Sequence, residues 1–136
     1  MTEDGEVLVL DKAAFEELIS NPLIKTVNPS VARTMAETGH ELIDVRYPEE
    51  FDDHHIPGAR LIPLFELRNR MEELDRDKQY IVYCHGGSRS AVAALILAQN
   101  QFEVLSLDGG IRSWPFETQS IYDRQVMAEG KETEAA

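Results

Sequence analysis

Residues 80–100 read YIVYCHGGSRSAVAALILAQN: an apolar run ending at Cys84, a short glycine-containing loop, and a long apolar segment from Ser90. The run is short and apolar at successive positions, which predicts a strand buried on both faces. The segment from Ser90 to Asn100 is apolar almost all round and predicts a buried helix. In an open α/β sheet, ligands bind beyond the carboxyl ends of the strands. Cys84 occupies such an end.

The alternation of strands and helices continues on both sides of this stretch. Short apolar runs predict further strands at 7–10 (VLVL), 41–46 (ELIDVR), 60–62 (RLI) and 102–107 (FEVLSL). Helices are predicted from the cap Asp11 to Asn21-Pro22, from the cap Asn28 with Pro29 to Gly39, and from Leu64 to Leu74. The pattern predicts an α/β fold with a central parallel β-sheet and helices on both faces.

The loop after Cys84 has the composition of an anion-binding nest. Gly86 and Gly87 allow the backbone to curl with its N–H groups pointing inward, and the helix that follows adds the positive end of its dipole. Arg89 adds a full charge, so a thiolate at Cys84 would be stabilised and would act as a nucleophile. The alternative is that Cys84 only packs in the core, the glycines make a turn, and Arg89 pairs with a surface carboxylate. The glycine pair and the arginine favour the nucleophile.

Length, charge and cysteine count exclude several classes of protein. The 136 residues suit one domain, and a single cysteine excludes an internal disulfide scaffold. A net charge of −12 argues against nucleic acid and anionic membrane surfaces as partners. The acidic N-terminus does not read as a secretory signal, and no apolar run is long enough to span a bilayer, so a cytoplasmic protein is expected.

Three segments together resemble the single-domain rhodanese family of sulfurtransferases. They are LIDVRYPEEFDDHHIPGARLIPL (42–64), IVYCHGGSRSA (81–91) and LDGGIRSW (107–114), in the order of that family. The resemblance implies a rhodanese-like α/β domain in which Cys84 takes a sulfane sulfur from thiosulfate or another persulfide donor. A thiol or cyanide then removes the sulfur from the Cys84 persulfide. No metal or organic cofactor is implied.

Loop length separates sulfur transfer from a related chemistry. Four residues lie between Cys84 and Arg89, the length of sulfur-handling relatives, whereas cysteine phosphatases and related arsenate reductases have five. The resemblance therefore ranks phosphatase or arsenate reductase activity below sulfur transfer. At His85 some active members have a basic residue that helps to bind thiosulfate, and His54 stands where many members have glycine.

The candidate site extends beyond the nucleophile. The substrate or anion-binding loop is predicted to comprise His85, Gly86, Gly87, Ser88 and Arg89. Asp44 and Arg46 end a strand on the side of Cys84 and are expected to support the site, the alternative being that they pair only with each other or with loop amides. Arg89 is expected either to contact the anion or to hold the loop through a carboxylate. Ser90 is expected to support the site, most simply by capping the helix.

Two other features favour structural roles. His54 and His55 are adjacent, so they point in different directions, and no further ligand has suitable spacing, which argues against a metal site. Trp114 is expected to pack in the core or to cover the site.

Three parts of the chain are expected. Residues 26–118 form the rhodanese-like domain, residues 119–136 an acidic tail, and residues 1–25 an extension that resembles the last strand and helix of a cyclic-nucleotide-binding domain. The extension supports a second hypothesis, in which the chain is part of a larger protein with a fused or partner sensor domain. In that case the domain would be a non-catalytic module that senses persulfides or anions.

Overall fold

A computed structural model describes residues 11–123. Within them lies a sheet of five parallel strands in the order β1-β5-β4-β2-β3. The strands are β1 (Thr26–Val27), β2 (Glu41–Asp44), β3 (Arg60–Leu61), β4 (Gln79–Tyr83) and β5 (Glu103–Leu107). The parallel direction brings the carboxyl ends of all five strands to one edge, where the loop after β4 begins.

Five α-helices connect and cover these strands. They are α1 (Lys12–Ile19), α2 (Pro29–Glu37), α3 (Pro48–Asp53), α4 (Leu67–Arg70) and α5 (Ser88–Gln99). Short 3-10 segments occur at Leu64–Glu66, Met71–Glu73 and Ile111–Ser113. The predicted caps are confirmed, since Asp11 accepts from Ala14 N–H at 2.7 Å and Asn28 accepts from Val31 N–H at 2.9 Å.

The alternation of side chains along β4 builds two cores. Tyr80 and Val82 pack on the face covered by α5, whereas Ile81 and Tyr83 pack on the face covered by α2. All four are at most 1% exposed, which explains why the strand is apolar at each position from Tyr80 to Tyr83. The predicted α/β fold is confirmed. Cys84 continues the alternation and belongs to the core cluster that includes the α5 residues Ala91 and Ala94.

The structure corrects three details of the predicted elements. The segment from Leu64 to Leu74 is not one helix, because α4 lies between two 3-10 turns. The two-residue edge strand β1 was not predicted, since Thr26-Val27 is too short to show a period. The last helix begins at Ser88 rather than Ser90. The predicted strand 7–10 lies outside the described residues.

Candidate active site

Cys84 lies directly after β4, at the edge where the strands end, and it is 1% exposed. Its Sγ accepts hydrogen bonds from Gly87 N–H at 3.0 Å and from Ser90 N–H at 3.4 Å. Gly87 has φ of +114°, a left-handed conformation that glycine adopts without steric cost and that turns its N–H toward the sulfur. Two backbone dipoles at the start of α5 therefore point at one buried sulfur and favour negative charge there.

Ser90 stands beside the sulfur rather than at the helix cap. Its Oγ is 3.5 Å from Cys84 Sγ and donates to the Gly87 carbonyl at 3.1 Å. The N-cap position belongs to Gly87, which has no side-chain cap, so the expectation that Ser90 caps the helix is wrong. The physical reason is that α5 begins at Ser88, which puts Ser90 inside the first turn, fully buried between helix and sheet.

The hydroxyl of Ser90 has a second partner that the sequence did not single out. Ser106 lies on β5 and its Oγ donates to Ser90 Oγ at 2.9 Å. Ser106 is 3% exposed. A signal was available in the sequence, since a serine interrupts the otherwise apolar end of FEVLSL, and a buried hydroxyl needs a polar partner.

The turn after β5, which contains Gly109 and Gly110, packs against the backbone of the Cys84 loop. Ile111 N–H donates to the Cys84 carbonyl at 2.9 Å, and Arg112 N–H donates to the His85 carbonyl at 3.0 Å. Gly110 has φ of +64°, and a Cβ there would lie 2.6 Å from the Cys84 carbonyl oxygen. Only glycine fits so close to the loop backbone, which gives the motif LDGG a direct structural role in shaping it.

Arg89 holds the loop through a carboxylate. Its Nη1 and Nη2 donate to the two carboxylate oxygens of Glu50 at 2.7 and 2.9 Å. Glu50, on α3, also accepts from Tyr47 N–H at 3.0 Å. Of the two roles predicted for Arg89, contact with the anion or attachment of the loop, the structure shows the second. The sequence did not identify Glu50, because the charge cluster Glu49-Glu50 reads as a solvated face.

The Arg89–Glu50 pair is only partly buried, and each charge stabilises the other. Burial disfavours the charged form of Glu50, but the hydrogen bonds from Arg89 and from Tyr47 N–H outweigh it and lower the pKa of Glu50. The hydrogen bond to Glu50 in turn raises the pKa of Arg89. Both groups are therefore ionised near neutral pH.

Asp44 and Arg46 form a second pair, which is almost fully buried. Arg46 Nη2 donates to Asp44 Oδ2 at 2.7 Å and to the His54 carbonyl at 2.6 Å. Burial opposes the charge on Arg46, but hydrogen bonding to Asp44 outweighs it and raises the pKa of Arg46. Burial also raises the pKa of the Tyr83 hydroxyl, which accepts from Ile56 N–H at 3.0 Å. The Arg46 bond joins the end of β2 to the segment after α3, and the Tyr83 bond joins β4 to that same segment, so any support for Cys84 from Asp44 and Arg46 is indirect.

The remaining predicted residues lie on the more exposed part of the loop or outside the loop. His85 and Gly86 are exposed, and Ser88 is half-buried. His54 contacts Asp53, with Nδ1 and Oδ2 3.0 Å apart, and His55 stacks on Phe51 with ring centroids 3.8 Å apart. The half-buried Trp114 packs against the α2-side core, whereas Cys84 belongs to the core on the other face of the sheet.

Two negative findings hold for residues 11–123. No group of three or more His, Cys, Asp or Glu side chains in that range is placed to hold a metal ion. None of the helices in the same range combines the length and the apolar character needed to cross a membrane.

This arrangement suits a nucleophile that carries negative charge. The sulfur is bordered by two N–H donors and a hydroxyl, while His85 and Gly86 open the loop to solvent. In a site shielded from water, such fixed donors stabilise charge more strongly than they would in water. The same donors can stabilise a thiolate or a second sulfur atom bonded to it.

Comparisons with other proteins agree with this geometry. Residues 28–116 match the sequence profile of the family described as "Rhodanese-like domain". The thiosulfate sulfurtransferase GlpE of Pseudomonas syringae pv. syringae is 35% identical over 91 residues, which are 66% of this chain and 86% of that protein. The uncharacterized protein YqhL of Bacillus subtilis is 45% identical over 75 residues, or 54% of this chain, and the match spans only 60% of YqhL.

Solved structures show the same fold. A rhodanese-related protein from Thermoplasma volcanium superposes with a TM-score of 0.67 at 32% identity, over 70% of this chain and 97% of that one. The reduced CoADR-RHD of Bacillus anthracis gives a TM-score of 0.68 at 37% identity, over 72% of this chain but only 18% of that one. The resemblance stated from three sequence segments is confirmed: the chain belongs to the rhodanese-like domain family.

Proposed function

We propose that this protein is a sulfurtransferase that moves a sulfane sulfur from a small anionic donor to a thiol or cyanide through Cys84. The observation that carries the proposal is the convergence of the Gly87 and Ser90 N–H groups on the Cys84 sulfur, at 3.0 and 3.4 Å. The naming of GlpE as a thiosulfate sulfurtransferase supports thiosulfate as the donor. These 136 residues contain one cysteine, so an acceptor thiol must come from outside them.

The reaction follows from the site in two displacements. The Cys84 thiol first loses its proton to solvent, and the thiolate attacks the outer sulfur of thiosulfate. A bond forms between Cys84 Sγ and that sulfur, the sulfur–sulfur bond of thiosulfate breaks, and sulfite leaves with the electron pair. The enzyme then carries a persulfide anion.

In the second displacement, an acceptor thiolate or cyanide attacks the outer sulfur of the persulfide. The bond between that sulfur and Cys84 Sγ breaks, and Cys84 leaves as thiolate. Throughout the cycle a negative charge stays on one of two adjacent sulfur atoms, so the N–H groups of Gly87 and Ser90 stabilise every state. Since the Arg89 guanidinium is bound by Glu50, these N–H groups are the donors that the loop offers to the sulfur.

Turnover tests the proposal. Wild-type protein mixed with thiosulfate and cyanide should release thiocyanate and sulfite in equal amounts, and Cys84→Ser should release neither above the rate without protein. Equal rates for wild type and Cys84→Ser would overturn the proposal. Generic aryl phosphate supplied instead should not be hydrolysed above the Cys84→Ser background, because a loop with four residues between Cys84 and Arg89 makes a small cradle.

The alternative of a sensing module gives a different result. A module that only binds anions would form no sulfur adduct with thiosulfate, polysulfide or a small persulfide, although Cys84 would still react with an alkylating reagent. A fused or partner sensor domain before Met1 stays a prediction from the sequence, as do the cytoplasmic location and the domain boundaries at 26 and 118.

A further inference from the structure

Ser106 is a buried polar residue that the sulfur-transfer steps above do not use. Its backbone belongs to the sheet, where Ser106 pairs with Thr26 of β1 and with Val82 of β4. Its side chain is 3% exposed and faces α5, and its hydroxyl donates to Ser90 Oγ at 2.9 Å. A hydroxyl in the core is costly unless it is bonded, and an apolar side chain would suit this strand position better for packing alone. The hydroxyl therefore calls for an explanation beyond stability.

Ser90 Oγ is the centre of a chain of three hydrogen bonds. It accepts from Ser106, contacts the Cys84 thiol at 3.5 Å, and donates to the Gly87 carbonyl at 3.1 Å. While Cys84 is protonated, its S–H can donate to Ser90 Oγ, and all groups are satisfied. Once the thiol ionises, an oxygen lone pair would face a negative sulfur unless the Ser90 proton turns toward it.

The Gly87 carbonyl would still accept one hydrogen bond if the Ser90 hydroxyl turned away from it. It also accepts the N–H of Ala91 at 3.1 Å, within the first turn of α5. The Ser90 proton is thus free to turn from the Gly87 carbonyl to the sulfur. During that rotation the bond from Ser106 keeps Ser90 Oγ in place, and it polarises the Ser90 O–H because hydrogen bonds in a chain strengthen one another.

We propose that Ser106 is a positioning residue for Cys84: acting through Ser90, it holds a hydroxyl ready to donate to the thiolate and to the persulfide that follows. This role rests on the proposed function, because sulfur transfer needs a stabilised sulfur anion at Cys84. The effect of Ser106 itself is on the ionisation and reactivity of Cys84. It can therefore be measured without a sulfur donor.

The test is the rate of Cys84 alkylation by iodoacetamide as a function of pH. In Ser106→Ala the profile should move to higher pH, with a rate near neutral pH about fivefold lower and an unchanged plateau, since one polarised donor to a charged group is weakened. Ser106→Thr keeps the hydroxyl and should restore the wild-type profile. The charged and titratable side chains near the loop are the same in all of these proteins, among them His85, Arg89 with Glu50, Arg46, Tyr47 and Arg112.

A matched control removes a buried hydroxyl from the other end of the sheet. Tyr80 OH accepts from Asp75 N–H at 2.7 Å, far along β4 from the loop, so Tyr80→Phe should lower stability without moving the alkylation profile. If Ser106→Ala has the profile of wild type while Ser90→Ala does not, Ser106 only packs and the proposal is overturned. A Ser106→Ala shift that Ser106→Thr fails to reverse would also overturn it.

This experiment separates the failure of the inference from failure of sulfur transfer. A wild-type protein that forms no persulfide with any donor, but whose alkylation profile still moves in Ser106→Ala, would reject the transferase and keep the positioning role. A protein that turns over thiosulfate with the same alkylation profile in both forms would keep the transferase and reject the positioning role.

Discussion

Arg89 on α5 and Glu50 on α3 meet in a two-fold hydrogen-bonded pair, with nitrogen–oxygen distances of 2.7 and 2.9 Å. The two residues are separated by 39 positions in the chain, and the pair fixes the end of the Cys84 loop to the helix after β2. A guanidinium fork matched to a carboxylate gives direction as well as attraction. This contact fixes the side chain of Arg89, whose positive charge also interacts electrostatically with Cys84.

Replacing Arg89 by lysine should weaken the loop attachment, because an ammonium group cannot make both hydrogen bonds. We expect Arg89→Lys to lower the free energy of unfolding by about 1–2 kcal/mol. It should also slow persulfide formation by about tenfold, since the loop donors lose their fixed positions. Urea unfolding and stopped-flow mixing with thiosulfate measure the two effects.

The matched control is Arg70, which makes a similar two-fold contact with Glu73 at 2.8 and 3.0 Å on an exposed surface. Arg70→Lys should cost less than about 0.5 kcal/mol and leave the reaction rate unchanged. Equal effects from the two lysine variants would show that the Arg89–Glu50 pair is an ordinary surface contact.

The same pair predicts a dependence of stability on acid. The pKa of Glu50 is lowered in the folded protein, so its contribution is complete above the ordinary glutamate value of about 4.3 and is lost as pH falls through the folded value. The difference in unfolding free energy between wild type and Glu50→Gln should therefore shrink below about pH 4. Denaturant titrations over a pH series give this difference, and a constant difference across the acid range would contradict the assignment.

Gly110→Ala should be among the most damaging single changes. A Cβ at this position collides with the carbonyl groups of Cys84 and His85, and its φ of +64° adds strain. We expect a loss of more than about 4 kcal/mol, measured by thermal or urea unfolding. Gly58→Ala provides the control, because Gly58 has φ of +84° with nothing within 4 Å of its Cβ, and should lose only about 1–2 kcal/mol. Similar losses in both variants would rule out the collision.

Asp44→Asn tests whether the buried Asp44–Arg46 pair is structural. It leaves the Arg46 guanidinium, 2% exposed, without its charged partner, which should cost about 3–5 kcal/mol of unfolding free energy. Glu41→Gln breaks the more exposed pair with Arg60 and should cost less than about 1 kcal/mol. Folded Asp44→Asn should alkylate Cys84 at a rate close to that of wild type. A folded variant with an unreactive Cys84 would place this pair in the catalytic machinery instead.

The sequence was sufficient to predict most of the sheet and the place of Cys84 at its carboxyl edge, because both depend on local patterns. Short apolar runs identify β2, β4 and β5, and the glycine pair behind Cys84 identifies the nest. Contacts between distant segments were not predictable in this way. Glu50, Gly110 and Ser106 act on the loop from α3, from the turn after β5 and from β5 itself. Each looks ordinary in its own segment, and only the fold places it against Cys84 or against the residues Arg89 and Ser90 that follow it.

The role of Ser90 shows how a local rule fails. A serine near the start of a helix is most often a cap, but α5 begins two residues before Ser90, with Gly87 as its cap. Moving the helix start by two residues turns the hydroxyl from solvent into the core, next to the sulfur. Ser90 was predicted to support the site, but the error in one boundary concealed its contact with the Cys84 sulfur.

Sulfur transfer through Cys84 is tested most directly by intact-mass analysis after brief incubation with thiosulfate. Wild-type protein should gain the mass of one sulfur atom, peptide mapping should place that atom on Cys84, and an added thiol should remove it. Cys84→Ala should gain nothing. A wild-type protein that gains no sulfur from thiosulfate, polysulfide or a small persulfide, or an equal gain on Cys84→Ala, would contradict the account.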